Sequence, residues 1–326
     1  MTTPVLSDAA LRRLRDGIDW PDVGARFEVR AMIGQGGMGR VYRVWDRQLE
    51  RELALKVLSL DAETPTLARR LSREARVLAR LEHPGIVAIH DAGTLSDGRP
   101  YYLMRLVRGQ NLTEALSGTG RGERLRIFLR VCDAVAFAHA RGVVHRDLKP
   151  ANVMLGEFGE VVVLDWGVAK LLEATVPEPE TLANATARGA VTDDATADGV
   201  VVGTPGFMAP EQADGITQAI DGRADIFGLG ALLRWLLETG PQADTTRGPL
   251  AAIANCAMAG DPNARYQRVE ALADDVRRWL DADPVSAYDE SLLERTARFI
   301  RRNRTLLLLL LAYAVVRITI LLWRGV

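Results

Sequence analysis

The chain reads as an α+β protein in which a small β-sheet unit precedes a mainly helical one, with a single apolar helix near its C-terminus. Three observations predict this. From Phe27 to about Val107, short segments of alternating character are separated by glycines, as in half-buried strands. From Arg124 to Arg141 apolar residues recur at helical spacing, with Leu125, Phe128, Leu129, Cys132, Val135, Ala136 and His139 on one face. Leu306 to Trp323 is nearly all apolar, with Arg317 its one charge.

The length of 326 residues suits one large two-lobed domain, or two small ones, with appendages. Hydrophobic residues make up 48% and charged residues 25%, as in ordinary globular proteins, and a net charge of −1 gives no electrostatic case for nucleic acid. Cys132 and Cys256 lie far apart without C-x-x-C spacing, so neither a zinc site nor a disulfide framework is expected, and a reducing, cytosolic setting fits. No basic segment followed by an apolar run opens the chain, so no signal peptide is expected. No internal repeat argues for a solenoid or propeller.

Residues 1–26 form an extension with one weak helical pattern, Leu6, Leu11, Leu14 and Ile18, ended by Trp20-Pro21. Phe27–Arg30, the run Gly34-Gln35-Gly36-Gly37-Met38-Gly39 and Val41–Val44 then read as a hairpin. The G-x-G-x-x-G pattern is followed by a strand rather than a helix, so the dinucleotide-fold context is missing. Glycines in such a turn let backbone N–H groups approach phosphates, although a glycine-rich hairpin without a ligand would look the same. Glu52–Leu58 is the next strand, and Lys56 within it is either a solvated residue or one that reaches back to phosphates. Thr66–Leu81 predicts an amphipathic helix with Glu74 on its apolar side. A carboxylate facing the core needs a partner: Lys56, or Arg70 if the helix turns Glu74 outward. His83–Val87 starts a further strand, and Tyr101–Met104 another. Leu106–Gly109 links the sheet unit to the helical one.

Gly142 stops the long helix, and His145-Arg146-Asp147-Leu148-Lys149-Pro150-Ala151-Asn152 follows. This reproduces the pattern H-R-D-L-x-x-x-N, whose Asp can accept a hydroxyl proton and whose Asn can hold a metal ion beside the same phosphate. Lys149 can neutralise charge on a transferring phosphoryl group. A polar surface loop is the bland alternative. Val161–Leu164 and Asp165-Trp166-Gly167 come next, then largely apolar helices over Asp225–Leu237 and around Leu272, Val276, Trp279 and Leu280, broken at Asp281–Pro284.

In combination these motifs resemble the protein kinase superfamily, in its Ser/Thr branch as found in bacteria, over about Phe27 to Asp281. The resemblance rests on Gly34, Gly36 and Gly39 with Val41, on Leu53-Ala54-Leu55-Lys56, Glu74, His145 to Asn152, Asp165-Trp166-Gly167 and Ala209-Pro210-Glu211. It implies a bilobal protein kinase fold over residues 27–282, with an antiparallel sheet and one helix in the N-lobe (27–107) and helices in the C-lobe (108–282). It also implies ATP and Mg2+ as cofactors and protein Ser/Thr hydroxyls as substrates. Lys56 would hold the α/β-phosphates and pair with Glu74, Asp147 would be the base, and Asn152 and Asp165 the magnesium ligands. Met104 and Val107 would meet the adenine. Lys149 and Thr204 resemble the pair that marks Ser/Thr specificity, Asp225 the Asp that braces the catalytic loop, and Arg265 the partner of Glu211. A pseudokinase scaffold and a small-molecule kinase are the rivals; the intact chemical residues speak against the first, and the peptide platform at Gly203-Thr204-Pro205 and Ala209-Pro210-Glu211 against the second.

The chain departs from the family pattern at Trp166, where Phe is usual, at Arg105, where Glu is common, and after Gly240, where the sequence moves quickly to Pro249. Glu173–Gly199 has six acids against one base and no aromatic residue, a composition that favours disorder. Its Thr175, Thr181, Thr186, Thr192 and Thr196 are the expected autophosphorylation sites, made accessible within a homodimer and paired on modification with Arg146. Residues 283–305 form a basic juxtamembrane linker, and Leu306–Trp323 is expected to span the bacterial inner membrane. Arg295, Arg298, Arg301, Arg302 and Arg304 place its N-terminal flank, and hence the kinase domain, in the cytoplasm. A peripheral or packed C-terminal helix is the alternative, because Arg317 is costly inside a bilayer.

Overall fold

The computed structural model describes residues 20–36, 39–57, 79–116, 118–166, 170–171, 206–213, 221–239 and 248–324. The helical pattern of residues 6–18, most of the Thr66–Leu81 segment with Glu74, and the threonines of 173–199 lie outside the described residues, as do Gly167 and Thr204.

Five antiparallel strands build the N-lobe: β1 (Phe27–Gly36), β2 (Gly39–Asp46), β3 (Arg51–Val57), β4 (Ile89–Thr94) and β5 (Pro100–Arg105), in the order β1-β2-β3-β5-β4. Period-two alternation divides the central strands between two layers. Leu53, Leu55 and Val57 of β3 join Tyr42, Val44 and Leu103 in one core, while Ala54 turns to the other face with Tyr102 and Met104. Register fixes this: Val41 lies opposite Lys56, Lys56 opposite Tyr102, and Ala54 opposite Met104. Packing begins before the first strand, because Trp20 and Val23 lie against this core and the Trp20 ring sits 6.2 Å from that of Tyr42.

The expected strand at His83–Val87 is not one. His83 accepts hydrogen bonds from the Gly85 N–H on Nδ1 (3.0 Å) and from the Ile86 N–H on its carbonyl (3.0 Å). This turn leaves only a parallel bridge of Ile86 with Val163, whose N–H donates to the Gly85 carbonyl at 2.8 Å, and β4 starts at Ile89.

The C-lobe holds the larger core. Short strand β6 (Gly109–Asn111) and α1 (Leu112–Ala115, capped by Asn111) lead to α2 (Arg121–His139), β7 (Val143–Val144), a 3-10 turn (Pro150–Asn152), β8 (Val153–Gly156), β9 (Val161–Val163) and β10 (Lys170–Leu171). Helices α3 (Pro210–Ala213), α4 (Gly222–Glu238), α5 (Pro249–Ala257) and α6 (Val269–Leu280) complete it. Leu125, Phe128 and Cys132 of α2 pack with Leu229 and Leu232 of α4 and Leu272 and Val276 of α6. As predicted, α2 stops where Gly142 takes a positive φ of 72° and donates to the His139 carbonyl. Core packing continues past α6: Val285 is buried, and Ala287 and Tyr288 lie against the same cluster.

Beyond it come α7 (Leu292–Arg302) and α8 (Arg304–Arg324), separated by Asn303. The predicted transmembrane segment is thus helical, but it is not recovered as a span. Among the described residues no helix is long and apolar enough to cross a membrane.

Candidate active site

The alternation of β3 that sends its leucines into the N-lobe core sends Lys56 the other way, into the cleft between the lobes. Its stem is buried and its ammonium lies 5.7 Å from the Tyr102 ring centroid. Lys56 Nζ donates to Asp165 Oδ1 at 3.1 Å, joining residues from the two lobes. Beside this pair, buried Ala54, Met104 and Val162 with partly buried Val41, Leu106 and Val107 form an apolar surface suited to a flat ring. Gly34 and Gly36 end β1, and Gly39 opens β2 opposite Gly36. Among the described residues a Cβ on Gly34 would meet only Val41, at 3.7 Å, so none of them demands glycine there. That hairpin edge is open to a phosphate chain.

The catalytic loop is fixed from below by Asp225, a fully buried side chain on α4. Its Oδ2 accepts from the His145 N–H and its Oδ1 from the Arg146 N–H, each at 2.7 Å, and His139 Nε2 lies 2.7 Å from Oδ2. Burial alone would raise this carboxyl's pKa; the hydrogen bond from His139, the two histidines and the backbone N–H outweigh it and hold it below the ordinary value. Satisfying those N–H groups also holds Arg146 at a φ of 69°, a region costly for a side-chain-bearing residue.

Above the brace, Asp147 Oδ2 lies 2.8 Å from Lys149 Nζ and accepts from Asn152 Nδ2 at 3.0 Å; the same Nδ2 donates to the Asp147 carbonyl at 2.8 Å. Both bonds use Nδ2, so Oδ1 is the oxygen Asn152 would offer a cation. The Leu164 N–H donates to the Asn152 carbonyl at 2.8 Å, which sets Asp165 beside Asn152. Among the described residues no group of three or more His, Cys, Asp or Glu side chains could hold a metal alone. Mg2+ needs none, since it is commonly bound by one or two protein oxygens together with substrate phosphates. The donor set fits ATP with Mg2+.

Trp166 is fully buried, donating its indole N–H to the Val163 carbonyl at 3.2 Å and packing at a tilt of 54° against the His145 ring, centroids 4.7 Å apart. The unusual residue therefore fills the apolar place beneath the metal-side Asp.

Residues 27–276 match the family described as the protein kinase domain. The chain belongs to the protein kinase family. It is 33% identical over 297 residues to serine/threonine-protein kinase PknD of Protochlamydia amoebophila, covering 78% of this chain and 30% of that one. It is 34% identical over 297 residues to a probable serine/threonine-protein kinase of Streptomyces coelicolor, covering 81% and 41%. Among solved structures it resembles the Mycobacterium tuberculosis PknI kinase domain, with a TM-score of 0.57 and 28% identity over 78% of this chain and 96% of that one. The chain spans about a third of the length of the curated relatives it matches.

In this kinase the structure brings Lys56, Asp147, Lys149, Asn152 and Asp165 to one cleft, with Val41, Met104 and Val107 along its apolar side. The expected Lys56–Glu74 pair lies outside the described residues. Glu211 is held as the resemblance implied: Arg265 grips it through two bonds of 2.7 and 2.8 Å while also donating to the Ala259, Gly260 and Arg223 carbonyls. Sequence reasoning missed two participants. His139 was expected to be a packing residue and is instead a partner of Asp225. Gln212 donates to the Arg146 carbonyl at 3.0 Å and accepts from the Ala209 N–H, tying the peptide platform to the catalytic loop. A polar residue closing an apolar helical face was the one available signal for His139; Gln212 offered none.

Proposed function

We propose that this kinase transfers the γ-phosphoryl group of ATP to serine and threonine hydroxyls of proteins while anchored to the bacterial inner membrane, its catalytic domain in the cytoplasm. The observation carrying the chemistry is the Asp147–Lys149–Asn152 cluster facing the Lys56–Asp165 pair. Asp147 takes the proton of the attacking hydroxyl, and Lys149 balances charge on the group in flight. Lys56 positions the α- and β-phosphates. Asn152 and Asp165 would hold Mg2+, which would supply neutralisation of phosphate charge. A homodimer would give one copy access to another for autophosphorylation.

The anchoring rests on α8. Leu308, Leu309, Leu310 and Leu311 are consecutive and all more than half exposed, so no side of the helix is covered by the protein. Such a surface is unfavourable in water and favourable in lipid. Leu306–Trp323, the apolar part of this helix, would extend roughly 27 Å, just short of a ~30 Å hydrocarbon core, so that spanning would require slight thinning. Membranes carrying the full chain, given labelled ATP, Mg2+ and a generic protein substrate, should yield phosphoserine and phosphothreonine, and carbonate washing should leave the chain in the pellet. Release by carbonate would overturn the anchor alone; nucleotide binding without transfer would mean a scaffold.

A further inference from the structure

The segment between the kinase domain and α8 has a design of its own. At ~100° per residue, Leu292, Leu293, Phe299 and Ile300 of α7 fall within one arc of about 120°, and all four are more than half exposed, the two leucines at 80% and 83%. Arg295 and Arg298 lie outside that arc. Arg298 is paired with Glu290, Arg295 is exposed, and Arg301, Arg302 and Arg304 follow in the sequence. Of the acids nearby, Glu290 is taken by Arg298, Glu294 closes a capping box with Ser291 and accepts from the Tyr288 hydroxyl at 2.8 Å, and Asp289 is exposed. The helix then breaks at Asn303, whose N–H and side-chain amide both donate to the Phe299 carbonyl, and α8 begins.

This helix is also tied to the C-lobe. Asp275, buried on α6, accepts from the Ser286 N–H (2.8 Å), the Ser286 hydroxyl (2.7 Å), the Ala287 N–H (3.1 Å) and the Tyr266 hydroxyl (2.8 Å). Val285 is buried beside it. Few residues separate that clamp from the Ser291 cap, and the Tyr288–Glu294 bond bridges most of them.

We propose that α7 lies flat in the surface of an anionic lipid leaflet, its Leu292–Leu293–Phe299–Ile300 face in the acyl boundary and its arginines among the phosphates, and that the Asp275 clamp carries this orientation to the kinase domain. Two observations select a membrane as occupant. The apolar face is flanked by basic side chains, which gain roughly fivefold in binding for each one brought to an anionic surface. It also runs, through a break at Asn303, into the helix proposed to enter the bilayer. The inference rests on that anchoring, which brings α7 to the surface.

The test uses the full chain in vesicles of phosphatidylcholine with or without phosphatidylglycerol. Cys256 is replaced by serine, Cys132 is buried and unreactive, and an environment-sensitive label is placed through Leu292→Cys, Arg295→Cys, Phe299→Cys or Ile300→Cys. Quenching by lipid-borne nitroxides should be about threefold or more stronger at 292, 299 and 300 than at 295, as for a helix in the interface plane, and should increase with phosphatidylglycerol. Equal quenching at all four positions, none at any, or indifference to phosphatidylglycerol would overturn the proposal. Carbonate washing of the same vesicles separates the two readings. A released chain that kept the pattern when bound would sink the α8 span and spare α7; a retained chain with a flat pattern would do the reverse.

Discussion

The two walls of the catalytic cleft are held in different ways. On the C-lobe side, Asp147 sits on a loop whose backbone is fixed by a buried carboxylate, whose neighbouring histidine packs on Trp166, and whose far end is tied to Gln212. On the phosphate side, Lys56 meets an Asp165 that is 48% exposed, and Gly34, unlike Gly39 with its φ of 156°, meets no described residue that requires it to be glycine. Among the described residues the proton-accepting wall is thus the more densely hydrogen-bonded of the two, and the Gly34 edge is the part left open. Preorganisation is concentrated where charge moves during reaction, which is where it contributes most. Substitutions on the first wall should therefore change turnover or stability, and those on the second should change nucleotide affinity.

The largest effect should come from Asp147→Asn, which keeps the side chain's size and removes the proton acceptor. Loss of a general base is worth about 10²- to 10⁴-fold in kcat, so turnover should fall at least about a hundredfold while nucleotide binding, followed by titration of a fluorescent ATP analogue, stays within about twofold. Retention of more than about a tenth of the activity would remove Asp147 from the base role. Lys56→Met on the opposite wall should weaken binding of that analogue as well as turnover, since it deletes a phosphate contact. Equal nucleotide affinities in the two variants would erase the distinction between the walls.

Next in size is Asp225→Asn. An amide cannot accept both backbone N–H groups and His139 together, and breaking a buried charged network costs about 3 to 5 kcal/mol, which urea unfolding would measure. The pH dependence follows from the depressed pKa. The folded value lies below the unfolded one of ~3.9, so the stabilisation is fully present above that value and is lost as pH falls through the folded pKa. Glu211 and Asp275 are also depressed: burial pushes each upward, and Arg265 in one case and Ser286 in the other outweigh it. Thermal melting of the wild type should thus be flat from neutral pH to about 4 and fall below it, with Asp225→Asn showing a shallower fall. A wild-type midpoint that dropped already between pH 7 and 5 would contradict this.

What the sequence made legible was chemistry carried by residue identity. Lys56, Asp147, Lys149, Asn152 and Asp165 stand at fixed offsets in short motifs, and period-two and helical patterns placed them correctly on β3 and on the loops after α2 and β9. Contacts between distant segments left no such mark. His139 reads as part of an apolar face until Asp225 is seen beneath it, and Ser286 is one polar residue after a proline break until Asp275 is found to bind it. The turn at His83 escaped because a side-chain acceptor replaced the ladder partners of an otherwise strand-like run. Packing also runs past residues 27–282 for the same reason: Trp20 lies against one core and Val285 belongs to another, and their other members lie far away in the chain.

The smallest effect tests the open wall most directly. Gly34 carries no positive φ, and a Cβ there would touch Val41 only at ordinary contact distance. Gly34→Ala should therefore leave the fold intact, and the narrower unfolded ensemble should make stability equal or higher by about 0.5 kcal/mol. If glycine is present so that phosphates can approach the backbone, the added methyl group should raise the KM for ATP several-fold with a smaller change in kcat. Gly109 provides the contrast: a Cβ there would fall 1.9 Å from the Leu155 carbonyl oxygen, at a φ of 151°. Gly109→Ala should then lose stability for reasons internal to the protein. An unchanged KM in Gly34→Ala, with stability preserved, would mean that the hairpin edge does not meet the phosphate chain and that the open wall lies nearer Lys56 and Asp165.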